Sequence, residues 1–185
     1  MKVFQIKTDH RFPGFRYLGR CQGRDLSHGV SRADAAYMVP LPMYFEKTKL
    51  KPGDFAYSFC GGYALDSRAC EVLRPILEQS CELLPLLPHE EETFHLLNVL
   101  EIVDCMDEEG TRFAISKATG HKTIQIEKYQ FAPDRFSESP LFKLPRRVGL
   151  LTVTGLIAPE LEFKTIVERE GLTGLKFEEL WSESV

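Results

Sequence analysis

Apolar residues are concentrated in one stretch of the chain, residues 94–107, whose sequence is FHLLNVLEIVDCMD. A nearly continuous apolar run of this kind is typical of a strand that is buried on both faces of a sheet. We therefore predict that this stretch forms the central strand of the fold. The side chains expected in its buried part are those of Leu97, Val99, Ile102 and Val103.

Alternating apolar and polar positions predict several shorter strands around this centre. Residues 112–116 follow an acidic turn and are predicted to return antiparallel to the central strand as its hairpin partner. Residues 123–131 place Ile124 and Ile126 on one face of a further strand. The other predicted extended segments are residues 3–6, 54–60, 81–87, 141–144 and 150–154, with a terminal strand containing Leu175, Phe177, Leu180 and Trp181.

Two segments carry helical signals. The first is predicted to follow Asp66 or Ser67, either of which would cap it, because its apolar residues recur at the spacing of one helix face. Pro75 falls inside this pattern and is expected to kink the helix or to divide it. The second helix is predicted to open at Pro159, with Gly171 just beyond its C-terminal end.

These elements predict an α+β fold with a single domain, in which a mixed or mainly antiparallel sheet is packed by two or three helices. Residues 51–185 are expected to form the core of this domain. Residues 1–50 are expected to form an N-terminal strand and a loop-rich extension packed on that core, because periodicity is weak after the first strand.

The composition is that of an ordinary globular protein, with 43% hydrophobic and 27% charged residues. The net charge is -4, and lysine and arginine are scattered along the sequence, which argues against a nucleic-acid or anionic-membrane surface. No run approaches the roughly 18 apolar residues of a membrane span. The N-terminus lacks the apolar core of a secretory signal, and the five cysteines are irregularly spaced, so we expect reduced thiols and a cytoplasmic location.

Two sets of residues are candidates for catalysis. Cys60 precedes a Gly61-Gly62 pair whose backbone amides would stabilise an oxyanion, although a buried thiol before a turn is the more ordinary interpretation. Asp104 and Asp107 end the long apolar stretch, where carboxylates act as acid–base groups or, more often, as solvated turn residues. The sequence contains no paired cysteine or histidine spacing for zinc and no phosphate-binding glycine loop, so neither a metal nor a cofactor is predicted.

Acidic clusters are the remaining candidates for a functional surface. One is Glu90, Glu91 and Glu92, just before the apolar stretch, and a second is Asp107, Glu108 and Glu109, just after it. A third is Glu178-Glu179 with Glu183, near the end of the chain. Such clusters would steer and hold a basic protein partner. Solubilising charges on exposed loops explain the same residues equally well.

The order of several segments resembles the immunity protein 11 family of bacterial polymorphic-toxin systems. The resemblance spans residues 51–180 and includes CELLPLL, FHLLNVLEIVDCMDEE, FKLP and the closing GLTGLKFEEL. Its two best markers are Leu97-Asn98-Val99 with Val103-Asp104, and the glycine-containing segment 171–177. Neither marker is a catalytic signature, so the likeness rests on order and spacing.

The resemblance implies a protein without chemistry of its own that binds and neutralises one cognate toxin, encoded next to it, in the cytoplasm of the producing cell. The toxin would be inhibited by occlusion, through a patch containing some of the acidic loop residues. Two alternatives remain open. One is a small cytoplasmic enzyme with a site at Cys60 or at Asp104 and Asp107, and the other is an immunity protein that reverses a covalent modification made by the toxin.

Overall fold

The computed structural model describes residues 1–17, 43–45, 50–58, 62–87, 93–147 and 149–183. These residues contain eleven strands, and every named sheet is antiparallel. The strands are β1 (Lys2–Thr8), β2 (Phe15–Tyr17), β3 (Met43–Phe45), β4 (Phe55–Tyr57), β5 (Tyr63–Asp66), β6 (Cys81–Pro85), β7 (Phe94–Val99), β8 (Arg112–Ile115), β9 (Lys122–Lys128), β10 (Leu151–Thr154) and β11 (Leu175–Ser182). The two α-helices are α1 (Ser67–Leu77) and α2 (Phe163–Arg169). The predicted α+β class, with a mainly antiparallel sheet and two helices, is confirmed.

The largest sheet has four strands in the order β4-β5-β7-β6. Strand β7 lies inside it, hydrogen-bonded to β5 on one edge and to β6 on the other. Because successive side chains of a strand point to opposite faces, Phe94 and Leu96 join one core cluster and Leu97 and Val99 join another, which also contains buried residues of α1. The first part of the predicted long strand is therefore a central strand, as expected.

The predicted strand over residues 94–107 is nevertheless too long, because β7 ends at Val99. The first residue of β6, Cys81, pairs with Val99, and beyond the following hydrogen bond from Leu100 to Ser80 no described strand pairs with this segment. Residues after Val99 form no regular strand until β8, and they lead to a further core cluster in which Val103 is buried as predicted. Ile102 was expected in the core, but 52% of its surface is exposed.

Residues 112–116 do not pair with the central strand, because both edges of β7 are already occupied. Instead β8 pairs antiparallel with β9, and together they form a two-stranded hairpin. The predicted strand over residues 123–131 is confirmed in part, because β9 runs from Lys122 to Lys128. The assignment of residues 112–116 to the central strand was wrong.

The second main sheet has the order β10-β1-β11, so the N-terminal strand lies between two strands from the last third of the chain. The register pairs Val3 with Val153 on one side and with Trp181 on the other. Val3 is buried in the core cluster that also contains Val103, whereas Ile6 belongs to the cluster shared with α1. Strand β1 thus connects two parts of the core.

The helix α1 begins as predicted, since the Asp66 carboxylate accepts a hydrogen bond of 2.7 Å from the N–H of Ala69. Pro75 does not divide the helix. Pro75 lies in the last turn, and the helix ends two residues later, so its missing N–H interrupts little. The second predicted helix consists of a 3₁₀ turn, Pro159–Leu161, followed by α2, and Gly171 follows α2 with a φ of 63°.

Candidate functional site

The acidic turn after the apolar stretch is held together by one of its own acids. Asp107 Oδ1 accepts hydrogen bonds from the N–H groups of Glu109 at 3.1 Å and Gly110 at 3.2 Å. Glu108 and Glu109 are exposed to solvent. Asp107 therefore shapes the turn, while the two glutamates remain accessible. The predicted cluster of Glu90, Glu91 and Glu92 lies outside the described residues.

The described residues include only part of the predicted catalytic sites. Cys60 lies outside the described residues, and Asp104 is exposed while the Asp107 carboxylate accepts the hydrogen bonds of its own turn. Within residues that the structure describes, no group of three or more metal-ligating side chains is positioned to hold a metal ion. Burial raises the pKa of the remaining thiols well above neutrality, to about 11, about 11 and about 12 for Cys70, Cys81 and Cys105. These thiols are protonated and poorly nucleophilic at neutral pH.

Past the acidic turn, the chain enters the β8–β9 hairpin, whose base is fixed by a compact set of hydrogen bonds. The N–H of Asp107 donates to the carbonyl of Gln130 at 2.9 Å, and the N–H of Gln130 donates to Thr111 Oγ1 at 3.1 Å. Just above this base, Phe113 pairs with Ile126, and both side chains pack against the core cluster that contains Val103. The lower part of the hairpin is therefore anchored to the domain.

The outer part of the hairpin extends away from the domain. Strands β8 and β9 contact each other extensively and have few contacts with any other named strand or helix. Ile124 is 88% exposed and Ile115 is 56% exposed. The connecting turn is ordered by backbone hydrogen bonds, from Gly120 N–H to the Ser116 carbonyl at 2.8 Å and from Ser116 N–H to the His121 carbonyl at 2.9 Å. The hairpin thus presents large apolar side chains to solvent on an ordered frame.

The hairpin also carries a charge of opposite sign to the rest of the chain. Four basic residues and one acid over residues 111–128 give it a net charge of +3 within a chain of net charge -4. Two cations lie over the ring of Phe113, Lys122 Nζ at 5.6 Å and the Arg147 guanidinium at 5.4 Å from the ring centroid. Arg147 also donates to the carbonyl of Ile124 at 2.9 Å.

We call the outer side chains of Ile115, Lys117, Lys122 and Ile124 the hairpin surface. Sequence reasoning missed it because lysine and arginine look scattered until residues 112–117 are paired with residues 122–128. The available signal was the strand prediction for β9, which placed Ile124 and Ile126 on one face. Ile126 packs against the core, whereas Ile124 is exposed.

A shallow groove of about 610 Å³ lies beside the hairpin base, between residues 128–133 and the end of β11. Its side chains include Tyr129 and Trp181, and the Trp181 ring packs edge-on against Phe131 at a centroid distance of 5.9 Å. The groove acids have cationic partners, because Glu179 binds Lys2 at 2.8 Å and Glu183 lies 3.6 Å from the N-terminal amine. This groove therefore has a weaker local charge than the hairpin.

The two sequence markers belong to the scaffold. Asn98 is fully buried in β7, and its side-chain amide donates to Glu82 at 3.0 Å. In the second marker, Gly174 has a φ of 101°, and a Cβ at this position would lie 2.0 Å from the carbonyl oxygen of Phe55. Only glycine fits there, so the marker permits close packing of the loop after α2 against β4.

An ion-pair cluster joins that loop to α1. The Asp54 carboxylate is 8% exposed at the residue level and accepts hydrogen bonds from Thr173 N–H at 2.7 Å, Thr173 Oγ1 at 2.6 Å and Arg68 at 2.7 Å. Burial on its own raises the pKa of Asp54. The hydrogen bonds from Thr173 and Arg68 outweigh that effect, so the pKa lies below its ordinary value.

Both markers lie within a segment that matches a known protein family. Residues 88–181, just over half of the chain, match the Imm11 immunity protein family. This chain belongs to the Imm11 family. The matched segment of this Imm11 protein contains β7, the β8–β9 hairpin, β10, α2 and nearly all of β11. The family resemblance seen in the residues is therefore confirmed.

No curated protein matches the Imm11 chain. In the described residues, no helix is long and apolar enough to cross a membrane. The family description makes this an immunity protein, and immunity implies a toxin as the partner.

Proposed function

We propose that this Imm11 protein binds one cognate toxin in the cytoplasm of the cell that produces both and neutralises it by occlusion. Membership of an immunity protein family is the observation that carries the proposal. Occlusion means that the Imm11 protein covers the active site or another functional surface of the toxin. In this proposal the toxin is encoded next to the Imm11 protein.

Occlusion needs a stable scaffold that presents accessible side chains, and the described residues provide both. The scaffold includes the buried Asp54 cluster and the close contact at Gly174. Accessible side chains occur on the acidic turn, at Glu108 and Glu109, and on the hairpin that follows it. The acidic residues at positions 90–92 and 107–109 remain a prediction for part of the contact surface.

The proposal is tested by co-expressing the chain with the C-terminal domain of the protein encoded immediately upstream. We expect the chain to restore growth and to co-purify with that domain. Absence of both protection and a complex would refute the proposal. Cys60→Ala and Asp104→Asn provide controls for the enzyme alternative, and we expect both variants to protect as well as the wild type, because occlusion uses neither residue as a catalyst.

A further inference from the structure

We infer that the hairpin surface docks on the toxin, and that the toxin offers it an acidic patch surrounding an apolar recess. This inference rests on the proposed function and specifies the binding surface and the chemistry of the partner. It assigns the apolar contact to Ile124 and Ile115, and the electrostatic contact to Lys117 and Lys122.

The exposure of the two isoleucines is the first reason. Among the described strands, β8 and β9 pair only with each other, and charged residues such as lysine protect such open edges from unwanted pairing. That explanation accounts for Lys117 and Lys122 but not for Ile124, since an exposed β-branched apolar side chain promotes association. Burial against a partner would remove this apolar area from water and favour binding.

Local charge is the second reason, and it defines the partner. The hairpin has a net charge of +3, so the remainder of the chain has a net charge of -7. A partner that is attracted to the hairpin is therefore acidic at the point of contact. Nucleic acid is also acidic, but phosphate contacts use basic and polar side chains and leave Ile124 and Ile115 without a role. A protein surface satisfies both the cations and the isoleucines.

The rigidity of the hairpin is the third reason. Binding loses free energy when loops and side chains must be ordered, and an already ordered element reduces that loss. The base is fixed by the hydrogen bonds between Asp107, Thr111 and Gln130, and the tip by those between Ser116, Gly120 and His121. The surface is therefore carried on a frame that is hydrogen-bonded at both its base and its tip.

The test measures the affinity of purified variants for the upstream-encoded toxin domain by calorimetry and surface plasmon resonance. Ile124→Ser should weaken binding by about tenfold or more, as expected for an apolar anchor. Its matched control is Leu161→Ser, which removes another exposed apolar side chain outside the hairpin and should leave affinity unchanged. Because Ile124 and Leu161 are both exposed, neither change should alter the thermal unfolding midpoint.

The electrostatic part is tested with the double variant Lys117→Glu/Lys122→Glu. We expect its association rate at low salt to fall by roughly tenfold or more and its salt dependence to weaken. Lys51→Glu is the control for a charge change outside the hairpin. A third variant, Glu108→Lys/Glu109→Lys, compares the acidic turn with the hairpin, and we expect it to lose less affinity than Ile124→Ser or the double lysine variant.

The outcomes separate the inference from the proposed function. If the wild-type chain does not bind the toxin domain, the proposed function fails and the inference fails with it. If the wild type binds and the hairpin variants bind equally well, or if only the acidic-turn variant loses affinity, the inference alone is overturned. Tight binding of a short DNA duplex or transfer RNA that depends on Lys117 and Lys122, without any effect on toxin binding, would also overturn it.

Discussion

The buried carboxylate of Asp54 provides a sharp test of how the scaffold is held together. It lies just before β4 and accepts hydrogen bonds from the loop after α2, through Thr173, and from α1, through Arg68. Asp54→Asn preserves the size of the side chain but removes its charge. It also replaces one acceptor oxygen by an NH₂ group, which then faces either Arg68 or Thr173, so at least one of these donors loses its acceptor.

The expected cost follows from these contacts. A hydrogen bond to a charged group contributes about 1.5–3 kcal/mol, and two such bonds link Asp54 to Thr173. The Arg68 side chain is about half exposed, so the ion pair adds little more than the ~0.5 kcal/mol of a surface pair. Because shared partners make the effects non-additive, we expect a loss of about 3 kcal/mol in the free energy of unfolding at neutral pH.

The loss should also depend on pH. Since the pKa of Asp54 is lowered in the folded protein, the unfolded chain takes up a proton first as the pH falls. The stabilisation by the carboxylate is therefore complete above the unfolded pKa of about 3.9 and disappears as the pH falls through the folded value. The difference between wild type and Asp54→Asn should shrink over that acidic range.

Urea denaturation followed by circular dichroism measures this difference at neutral and acidic pH. Glu71→Gln makes the same chemical change on an exposed residue of α1 and should alter stability by less than about 0.5 kcal/mol. If Asp54→Asn changed the free energy of unfolding at neutral pH by as little as Glu71→Gln, the role of the carboxylate would be refuted. A large difference between wild type and Asp54→Asn that stayed constant as the pH was lowered would also refute it.

Three further changes test other parts of the scaffold. Gly174→Ala should lower the free energy of unfolding by more than about 3 kcal/mol and yield little folded protein, because the new Cβ meets the Phe55 carbonyl. Gly120 has a φ of 70° and open space around it, so Gly120→Ala should lower the free energy of unfolding by only about 1–2 kcal/mol. Soluble yield and urea midpoints distinguish the two variants. Asp66→Ala should lower stability by about 1 kcal/mol through loss of the α1 N-cap, and an unchanged midpoint would contradict that role. Alkylation with iodoacetamide at neutral pH, mapped by mass spectrometry, should leave three thiols unmodified in the folded protein and label them only after denaturation, namely those of Cys70, Cys81 and Cys105.

Local signals in the sequence predicted local structure well. The first strand, the Asp66 cap of α1 and the glycine after α2 each depend on a few neighbouring residues, and the structure contains all three. For Pro75 the local signal did not decide between a kink and a division, because its effect depends on how many residues follow it in the helix. That number is set by packing of the next segment rather than by the proline itself.

Pairing between distant strands was not predictable in the same way. The extent of β7 is limited by where β6 begins to pair with it, and β8 was excluded from β7 because β5 and β6 already occupy both edges. Ile102 was expected in a buried position from its apolar character alone, and for Ile124 the pattern gave only the face that it shares with Ile126. Their exposure depends on which partner strand and which cluster covers each face.

The candidate surface also depends on pairing between residues that are separated in the sequence. Acidic runs are visible in the sequence because their members are adjacent, and this directed attention to residues 90–92 and 107–109. The hairpin surface combines Ile115 and Lys117 with Lys122 and Ile124, which are brought together only by the turn between β8 and β9. A prediction based on runs of like residues therefore favours acidic loops over a basic and apolar hairpin.

Titration of a fixed amount of toxin with the purified Imm11 protein tests the central claim most directly. Because occlusion removes one toxin molecule for each bound immunity protein, residual toxin activity should fall in proportion to the protein added and disappear near one equivalent. Complete protection by a small fraction of one equivalent, or full toxin activity in the presence of a large excess, would contradict neutralisation by occlusion.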